Sequence, residues 1–344
     1  MSKLNLGVIY GGMSTEHEVS IESAKSVIEN LKKEKYEIYK IFIDKNGNWL
    51  DENSKIIEDI FSYLKNLDVV FPVLHGMYGE DGTIQGLFEL LKIPYVGAGV
   101  IGSANGMDKV YSKIIFEKAG INQAKYAYVK KQNNKYTYVN ENFDEEDGNL
   151  EELSKLVCKK IDFPMFVKPS NSGSSVGIKK AHNFEELKEA IEYAGKFDKK
   201  ILIEENINGR EIECAVLGND EPKASRIGEI LPADEFYSYE AKYENSESKT
   251  EVPVKISKEK EDEIRKIAIK AYKVVDAKGL SRVDFFVEKD TQEIYINEIN
   301  TMPGFTKISM YPKLWEYSGL KYSDLLDELI KLALEKNVTK PLVK

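Results

Sequence analysis

Apolar residues follow two different periods along the first hundred positions of the chain. Residues 4–10, 36–43 and 68–74 are short and mostly apolar, which predicts buried strands. Apolar side chains in residues 21–31 and 84–91 recur every three or four positions, which predicts helices between those strands. This alternation indicates a parallel sheet covered on both faces, with ligands bound beyond the carboxyl ends of its strands.

The pattern changes after residue 97. Short apolar runs predict five further strands, over residues 163–168, 201–205, 212–218, 282–287 and 293–299. We expect one helix to begin after Asn183, and a long amphipathic helix to run over residues 257–278 until Gly279 ends it. Residues 130–149 are polar and poor in aliphatic side chains, so we expect a surface excursion there rather than a core element.

Composition and charge limit the class of protein. With 344 residues the chain exceeds the size at which a single core stops growing, so we expect several domains. Its 58 acidic and 49 basic residues give a net charge of −9, which argues against nucleic acid as a partner. The two cysteines suggest neither a disulfide framework nor a zinc site. No apolar run approaches 18 residues and no signal peptide is visible, so we expect a soluble, cytoplasmic protein without a membrane partner.

The strongest chemical signal lies in the last two predicted strands. Their period of two places Arg282 and Asp284 on one face of the first strand, and Glu298 shares a face with Asn300 on the second. If these strands pair, two carboxylates, a carboxamide and a guanidinium converge, which suits Mg²⁺ and a transferring phosphoryl group. An ordinary polar face on a half-exposed antiparallel pair would give the same alternation.

A second cluster suits phosphate. Lys168 ends a strand and precedes a Ser/Gly-rich loop at residues 172–177, whose N–H groups and hydroxyls can approach phosphate oxygens. The loop lacks the spacing of a Walker motif, and taken alone it also fits a flexible connector. Glu204 and Glu211 lie at an acidic strand exit, which taken alone fits a solvated edge.

Candidate substrate residues lie at the ends of predicted strands. His75 follows a central strand in a Gly-rich turn, where a ligand-binding and a structural role are both open. Glu16 could bind a substrate ammonium or stabilise the N-terminus of the first helix. Asp81 is placed to cap the next helix, so Glu80 and Asp81 fit structural roles. The N–H of Gly304, in a tight turn, could stabilise an oxyanion.

Seven segments of the chain, taken together, resemble the D-alanine–D-alanine ligase family of the ATP-grasp superfamily. They are GGMSTEHEVS (11–20), HGMYGEDGTIQG (75–86), MDK (107–109), VKPSNSGSSVG (167–177), EAKY (240–243), SRVDFF (281–286) and NEINTMPGFT (297–306). They follow the order of the family and spread over nearly the whole chain. The polar residues 130–149 are the main part that matches nothing specific.

The resemblance implies a mixed α/β and α+β fold, the three-domain ATP-grasp architecture. Residues 1–97 would form a Rossmann-like, substrate-binding domain around the parallel sheet. Residues 98–200 would form the central ATP-grasp subdomain and residues 201–344 the C-terminal one, with the metal site. ATP would be gripped between these two subdomains, and a homodimer is also implied.

The nucleotide and metal contacts of the family map onto named positions of this sequence. The residues implied to bind ATP are Lys109, Lys168, Glu204, Asn206, Ile207, Glu211 and Lys242. The residues implied to bind two Mg²⁺ ions, for which Mn²⁺ can substitute, are Asp284, Glu298 and Asn300. Residues 235–249 are our candidate for a lid that keeps water from the reaction.

The resemblance also implies catalytic and substrate-binding residues. Those implied to be catalytic are Glu16, Ser174, Tyr243, Arg282 and Gly304, and those implied to meet the second D-alanine are His75, Ser309 and Met310. Glu16 would bind the ammonium of the first D-alanine and hydrogen-bond towards Ser174 and Tyr243. Arg282 and the N–H of Gly304 would stabilise the tetrahedral intermediate.

The implied reaction joins two D-alanines through a D-alanyl phosphate, with ATP as co-substrate, for peptidoglycan precursor synthesis. A ligase for D-alanine and D-serine is an alternative, and one for D-lactate is less favoured because EAKY is intact. Another ATP-grasp ligase is disfavoured by the Ser-rich loop and the HGMYGEDG turn. A non-catalytic binding module would predict broken metal ligands, whereas Asp284, Glu298 and Asn300 are all present.

Overall fold

A computed structural model describes residues 3–133, 135–140, 142–231 and 249–338. The described residues form three sheets in successive stretches of the chain, with helices packed against them. This mixed α/β arrangement confirms the predicted fold class. None of the helices in these ranges is both long and apolar enough to cross a membrane. The predicted lid, residues 235–249, lies outside the described residues except for its last position.

The first sheet contains the predicted parallel strands, and a short strand pairs antiparallel at its edge. Its strands, in the order β3-β2-β1-β4, are β1 Leu4–Gly11, β2 Tyr36–Ile43, β3 Trp49–Leu50 and β4 Val69–Val73. The helices that accompany it are α1 His17–Asn30, α2 Ile60–Lys65 and α3 Thr83–Leu91. β1 is parallel to both β2 and β4, and every residue of β4 is buried. The carboxyl ends of β1 and β4 lead directly to the loops that hold Glu16 and His75.

The second sheet has six strands, and all of its adjacent strands are antiparallel. In the order β7-β6-β5-β10-β8-β9 it contains β5 Tyr126–Gln132, β6 Lys135–Val139, β7 Glu145–Gly148, β8 Met165–Pro169, β9 Lys179–Ala181 and β10 Lys200–Glu205. The helices in this stretch of the chain are α4 Val100–Met107, α5 Lys109–Lys118, α6 Leu150–Lys160 and α7 Phe184–Ala194.

The prediction that residues 130–149 form a surface excursion was wrong. β6 and β7 continue the second sheet beyond β5 and form its edge. Within β6, Tyr136 packs into the core that includes α6, and Val139 packs into a smaller cluster on the other face with Val110 of α5. A short run of aromatic and β-branched residues suits a strand. Its polar flanks hid that pattern in the sequence.

The third sheet has five antiparallel strands in the order β13-β12-β11-β14-β15. They are β11 Gly209–Gly218, β12 Lys223–Leu231, β13 Lys249–Glu251, β14 Gly279–Glu288 and β15 Ile294–Asn300. The helices of this part are α8 Lys258–Val274, α9 Met310–Tyr317 and α10 Tyr322–Val338. β14 and β15 are the paired strands that the sequence pattern required for a shared polar patch.

The predicted end of the long helix at residue 278 was wrong. α8 ends at Val274, and Asp276 takes a left-handed φ of 62°. Aspartate adopts this conformation more readily than most residues, so the chain turns there without a glycine. Gly279, with a φ of 74°, opens β14 instead of ending the helix.

The turn after β15 packs against the first sheet. The Phe305 ring lies 5.5 Å from the ring of Phe71 in β4 and 5.7 Å from the ring of Tyr311 in α9, both edge-on. All three side chains are fully buried in one core that spans the two sheets. This core places the turn that carries Gly304 beside the carboxyl end of β4.

The division into domains at residues 98 and 200 stays a prediction. It assigns residues 201–205 to the C-terminal domain, but β10 pairs with β5 and β8 in the second sheet. A boundary near residue 206 agrees better with the pairing of the strands.

Candidate active site

Two adjoining cavities lie where the three sheets meet. The first is lined by Glu16, His75, Glu80, Lys109, Ser174, Glu213, Arg282, Glu298, Asn300, Gly304, Ser309 and Met310, among others. The second is lined by Lys109, Lys168, Ser174, Glu204, Asn206, Ile207, Glu211, Asn297 and Glu298, among others. Lys109, Ser174 and Glu298 line both cavities, so a ligand in one cavity would lie next to a ligand in the other.

Three carboxylates occupy facing positions on three adjacent strands. Glu213 of β11 faces Asp284 of β14, and Asp284 faces Glu298 of β15. We refer to these three residues as the carboxylate row. Facing side chains lie on the same side of a sheet, where like charges repel each other. The row therefore needs cations close to it.

Arg282 stands between two members of the carboxylate row. Its Nε and Nη2 donate hydrogen bonds to the two oxygens of Asp284 at 2.7 and 2.6 Å, and Nε lies 3.2 Å from Oε1 of Glu213. Asp284 is 2% exposed and lines neither cavity, whereas Arg282 lines the first. Burial opposes the charge of Arg282, but Asp284 and Glu213 outweigh it and raise the pKa of the guanidinium.

Lys109 lies at the other end of the carboxylate row. Its Nζ is 3.3 Å from Oε2 of Glu298 and donates a hydrogen bond to the Ser172 carbonyl at 2.7 Å. The preceding residue, Asp108, caps α5 and forms an ion pair of 2.5 Å with Lys200 of β10. This pair ties the start of α5 to the second sheet and so fixes the position of Lys109.

Lys168 is held by a buried chain of charges. Its Nζ lies 2.7 Å from Oε2 of Glu204, whose Oε1 lies 2.5 Å from Nζ of Lys113. Burial alone would raise the pKa of Glu204, but the two lysines lower it to about 2. Lys113 is 1% exposed, so it contacts no ligand and serves to orient Glu204. Glu204 is thus a buried partner of Lys168 and not a solvated edge.

A bulge in β15 adds another residue to this cavity. The register between β14 and β15 shifts after Asp284, which leaves Asn297 as an extra residue on β15. The Oδ1 of Asn297 accepts a hydrogen bond from Nζ of Lys168 at 3.4 Å. Lys168 is therefore oriented by both the second and the third sheet.

Glu16 joins the first sheet to the Ser/Gly-rich loop of the second. The Oγ of Ser174 donates a hydrogen bond to Oε1 of Glu16. A side chain at position 173 would displace the Glu16 carboxylate, so Gly173 lets the loop approach Glu16 closely. Ser174 and Ser175 have positive φ angles of 49° and 60°, which are costly for residues with side chains and are typical of functional loops.

Glu80 is a buried carboxyl group close to Glu16. It is 7% exposed, and its Oε2 accepts a hydrogen bond of 2.6 Å from the N–H of Gly76. Burial, and after it the charge of Glu16, raise the pKa of Glu80 well above its usual value. The raised pKa favours the protonated form of Glu80, which removes one negative charge from this buried place.

His75 connects α1 with the turn after β15. Its Nδ1 lies 3.1 Å from the Met302 carbonyl and its Nε2 lies 3.1 Å from Oγ of Ser23. A carbonyl only accepts, so Nδ1 is the donor and Ser23 donates to Nε2, while Ser23 accepts from the N–H of Phe305 at 3.2 Å. Burial lowers the pKa of His75, in agreement with a neutral ring. His75 thereby helps to fix the turn that carries Gly304.

The structure brings together nearly all of the residues predicted from the sequence. Of those within the described ranges, every one lines a cavity except Asp284, which lies beneath Arg282. Lys242 and Tyr243 lie outside the described residues. The roles assigned to individual residues stay predictions.

Three residues of the site were missed by sequence reasoning. A sequence pattern could have indicated Glu213, because it lies two positions after Glu211 and so shares its face of β11. No sequence pattern indicates Asn297, because strict alternation places it on the face opposite Glu298 and only the bulge brings it to the site. No sequence pattern indicates Lys113 either, because a lysine in a helix is usually solvated.

The oxygen donors of the site suit Mg²⁺. No group of three or more His, Cys, Asp or Glu in the described part of the chain is arranged to hold a metal. Asp284, Glu298 and Asn300 nevertheless offer two carboxylates and a carboxamide, and Mg²⁺ takes one or two carboxylates together with water and phosphate oxygens. Arg282 occupies one position on each Asp284 oxygen, and each oxygen keeps a further lone pair. The donor set therefore fits this cation.

Comparison with known sequences gives a consistent result. The family model described as D-ala D-ala ligase N-terminus matches residues 5–63 and 55–98. The model described as D-ala D-ala ligase C-terminus matches residues 115–331. The D-alanine–D-alanine ligase of Acetivibrio thermocellus is 49% identical, covering 96% of this chain and 95% of that protein. D-alanine–D-alanine ligase B of Clostridium tetani is 50% identical, covering 97% of this chain and 94% of that protein.

Solved structures show the same likeness. The D-alanine–D-alanine ligase of Coxiella burnetii is 36% identical with a TM-score of 0.81, covering 98% of this chain and 96% of that one. The VanG D-Ala:D-Ser ligase of Enterococcus faecalis is also 36% identical with a TM-score of 0.84, covering 96% of this chain and 100% of that one.

The protonation of Glu80 predicts a pH-dependent effect of Glu80→Gln. The folded protein holds a proton that the unfolded chain releases, so wild-type stability falls as the pH rises above the usual carboxyl pKa. Glutamine resembles the protonated acid and does not titrate. The stability of Glu80→Gln relative to wild type should therefore rise as the pH increases above the usual carboxyl pKa, by up to about 1.4 kcal/mol per pH unit, and its relative Tm should rise with it.

The exposed Glu34→Gln serves as the control for removal of a negative charge. Thermal unfolding of the three proteins in one series of buffers provides the measurement. A difference between Glu80→Gln and wild type that is constant over this pH range would contradict a protonated Glu80.

Proposed function

We infer that this chain, which belongs to the D-alanine–D-alanine ligase family, joins two D-alanines into D-alanyl-D-alanine with ATP as co-substrate. The observation that carries this function is the shared wall of the two cavities. Lys109, Ser174 and Glu298 line both, so a nucleotide in the second cavity would meet an amino acid in the first. The dipeptide would serve as a precursor of peptidoglycan.

The second cavity would hold ATP. Lys109 and Lys168 are fixed cations on its wall, each with an acidic partner that sets its position. Phosphoryl transfer depends mainly on such positioning and on charge stabilisation. Asn206, Ile207 and Glu211 line the same cavity and would contact the base and the ribose. Lys242 would add a further phosphate contact.

The first D-alanine would bind near Glu16. Glu16 lines the first cavity, where its carboxylate would accept the substrate ammonium. Ser174 orients it, and Tyr243 would complete this group. The substrate carboxylate would then lie towards the shared wall, where it would receive the γ-phosphate of ATP.

The second D-alanine would bind between His75 and the start of α9. Ser309 and Met310 lie there, and the Oγ of Ser309 accepts a hydrogen bond from the N–H of Thr306 at 3.0 Å. The amine would attack the acyl carbon of the D-alanyl phosphate, and phosphate would leave. Arg282 and the N–H of Gly304 line this cavity and would stabilise the oxyanion.

Two Mg²⁺ ions would complete the site, held by Asp284, Glu298 and Asn300. Bound Mg²⁺ would neutralise charge on the phosphate oxygens and make the γ-phosphate a better acceptor. Mn²⁺ offers similar oxygen coordination and would substitute for it. The requirement for ATP also supports a cytoplasmic location for the enzyme.

We further propose a homodimer that forms through α3 and α4. Leu90 of α3 is 82% exposed and Ile101 of α4 is 62% exposed, and these two helices pack against each other. Large exposed apolar side chains on neighbouring elements are typical of protein interfaces.

Substrate assays test the function directly. ADP and dipeptide should form with D-alanine alone, and D-serine should give little mixed product. Arg282→Ala should lower kcat by about 10²–10³-fold, the usual loss for one oxyanion donor. The control is Arg226→Ala, because Arg226 forms a similar pair with Glu261 but lines neither cavity. ATP turnover without D-alanine, a preference for D-serine, or an active Arg282→Ala would contradict the proposal.

Sedimentation velocity tests the homodimer. Leu90→Lys combined with Ile101→Lys should shift the wild-type dimer to a monomer, because two charges would have to be buried at the interface. Phe143→Lys changes another exposed apolar residue, in the loop between β6 and β7, and should leave the dimer intact. A monomeric wild-type protein, or a double variant that still dimerises, would refute this interface.

A further inference from the structure

The carboxylate row poses a problem for cation binding at Asp284. Both of its oxygens accept hydrogen bonds from Arg282, and the residue lines neither cavity. A divalent cation at a remaining lone pair of Asp284 would lie next to the guanidinium. Two neighbouring cations repel each other, so Arg282 should shift away when the cation binds.

Glu213 is in place to receive Arg282. Its Oε1 already lies 3.2 Å from Nε of Arg282, and Glu213 is 4% exposed. It faces Asp284 on the neighbouring strand, on the side away from Glu298 and Lys109. A shift of the guanidinium towards Glu213 would therefore uncover Asp284 on the side of the two cavities.

We propose that Glu213 is a positioning residue that holds Arg282 while a divalent cation occupies Asp284. This inference rests on the proposed function, but it concerns a residue to which that function gives no role. Without Glu213, Arg282 would lose the acidic group on the side away from Glu298, and the cation would compete with it for Asp284. With Glu213, the arginine keeps a buried charge partner and stays on the wall of the first cavity.

The charges support this arrangement. An unpaired arginine in a buried place is costly, and the approach of a dication adds repulsion. The carboxylate of Glu213 offsets both effects. In the absence of a cation, the same arginine removes the repulsion between Glu213 and Asp284, so one side chain serves two states of the site.

Cation affinity in the presence of ADP tests the proposal, with free Mn²⁺ measured by electron paramagnetic resonance. Glu213→Gln should weaken Mn²⁺ binding about tenfold more in the presence of Arg282 than in an Arg282→Gln background, because its effect passes through the arginine. Arg282→Gln alone should tighten Mn²⁺ binding, because it uncovers Asp284. Glu213→Asp keeps the charge and should recover part of the loss.

The matched control is Glu261→Gln, which removes an acidic partner of another arginine in the same sheet, Arg226. Its Mn²⁺ affinity should equal that of wild type, which separates the proposed effect from a general loss of stability. Equal weakening by Glu213→Gln in both backgrounds would show that Glu213 acts directly on the cation and would overturn the proposal. Unchanged Mn²⁺ affinity in Glu213→Gln would overturn it as well. If the wild-type protein failed to ligate D-alanine while the effect of Glu213→Gln on Mn²⁺ affinity still depended on Arg282, only the proposed function would be contradicted.

Discussion

The need to pair buried charges governs this site more than any other constraint. Three carboxylates lie side by side on β11, β14 and β15, and they coexist because Arg282 stands between two of them and Lys109 meets the third. Burial makes every unpaired charge costly, so each partner fixes the position of the other. The cations that a phosphate needs are thus oriented before any ligand arrives.

Two carboxyl groups show the two ways in which a protein can bury an acid. Glu204 keeps its charge, because Lys113 and Lys168 lower its pKa to about 2. Glu80 gives up its charge, because it is buried close to Glu16 and has a raised pKa. The first solution places a lysine on the wall of the second cavity. The second removes one negative charge from the place beside Glu16.

Much of this arrangement could be predicted from sequence, because regular periods encode strands and helices. The alternation around Asp284 and Glu298 predicted two strands and, on the condition that they pair, a common polar face, and the structure pairs them. Other features depend on distant contacts. Lys113 is buried only because α5 packs on the second sheet, Asn297 joins the site through a bulge, and β6 is a strand because β5 offers it an edge. No local pattern reports such contacts.

The central claim is that the carboxylate row binds a divalent cation beside the nucleotide. Crystals grown with ADP and Mn²⁺ would test it most directly, through the anomalous scattering of manganese. The account predicts a peak about 2 Å from oxygens of both Asp284 and Glu298, with Arg282 turned towards Glu213. A manganese peak bound to ADP alone, with Arg282 still on both oxygens of Asp284, would contradict it.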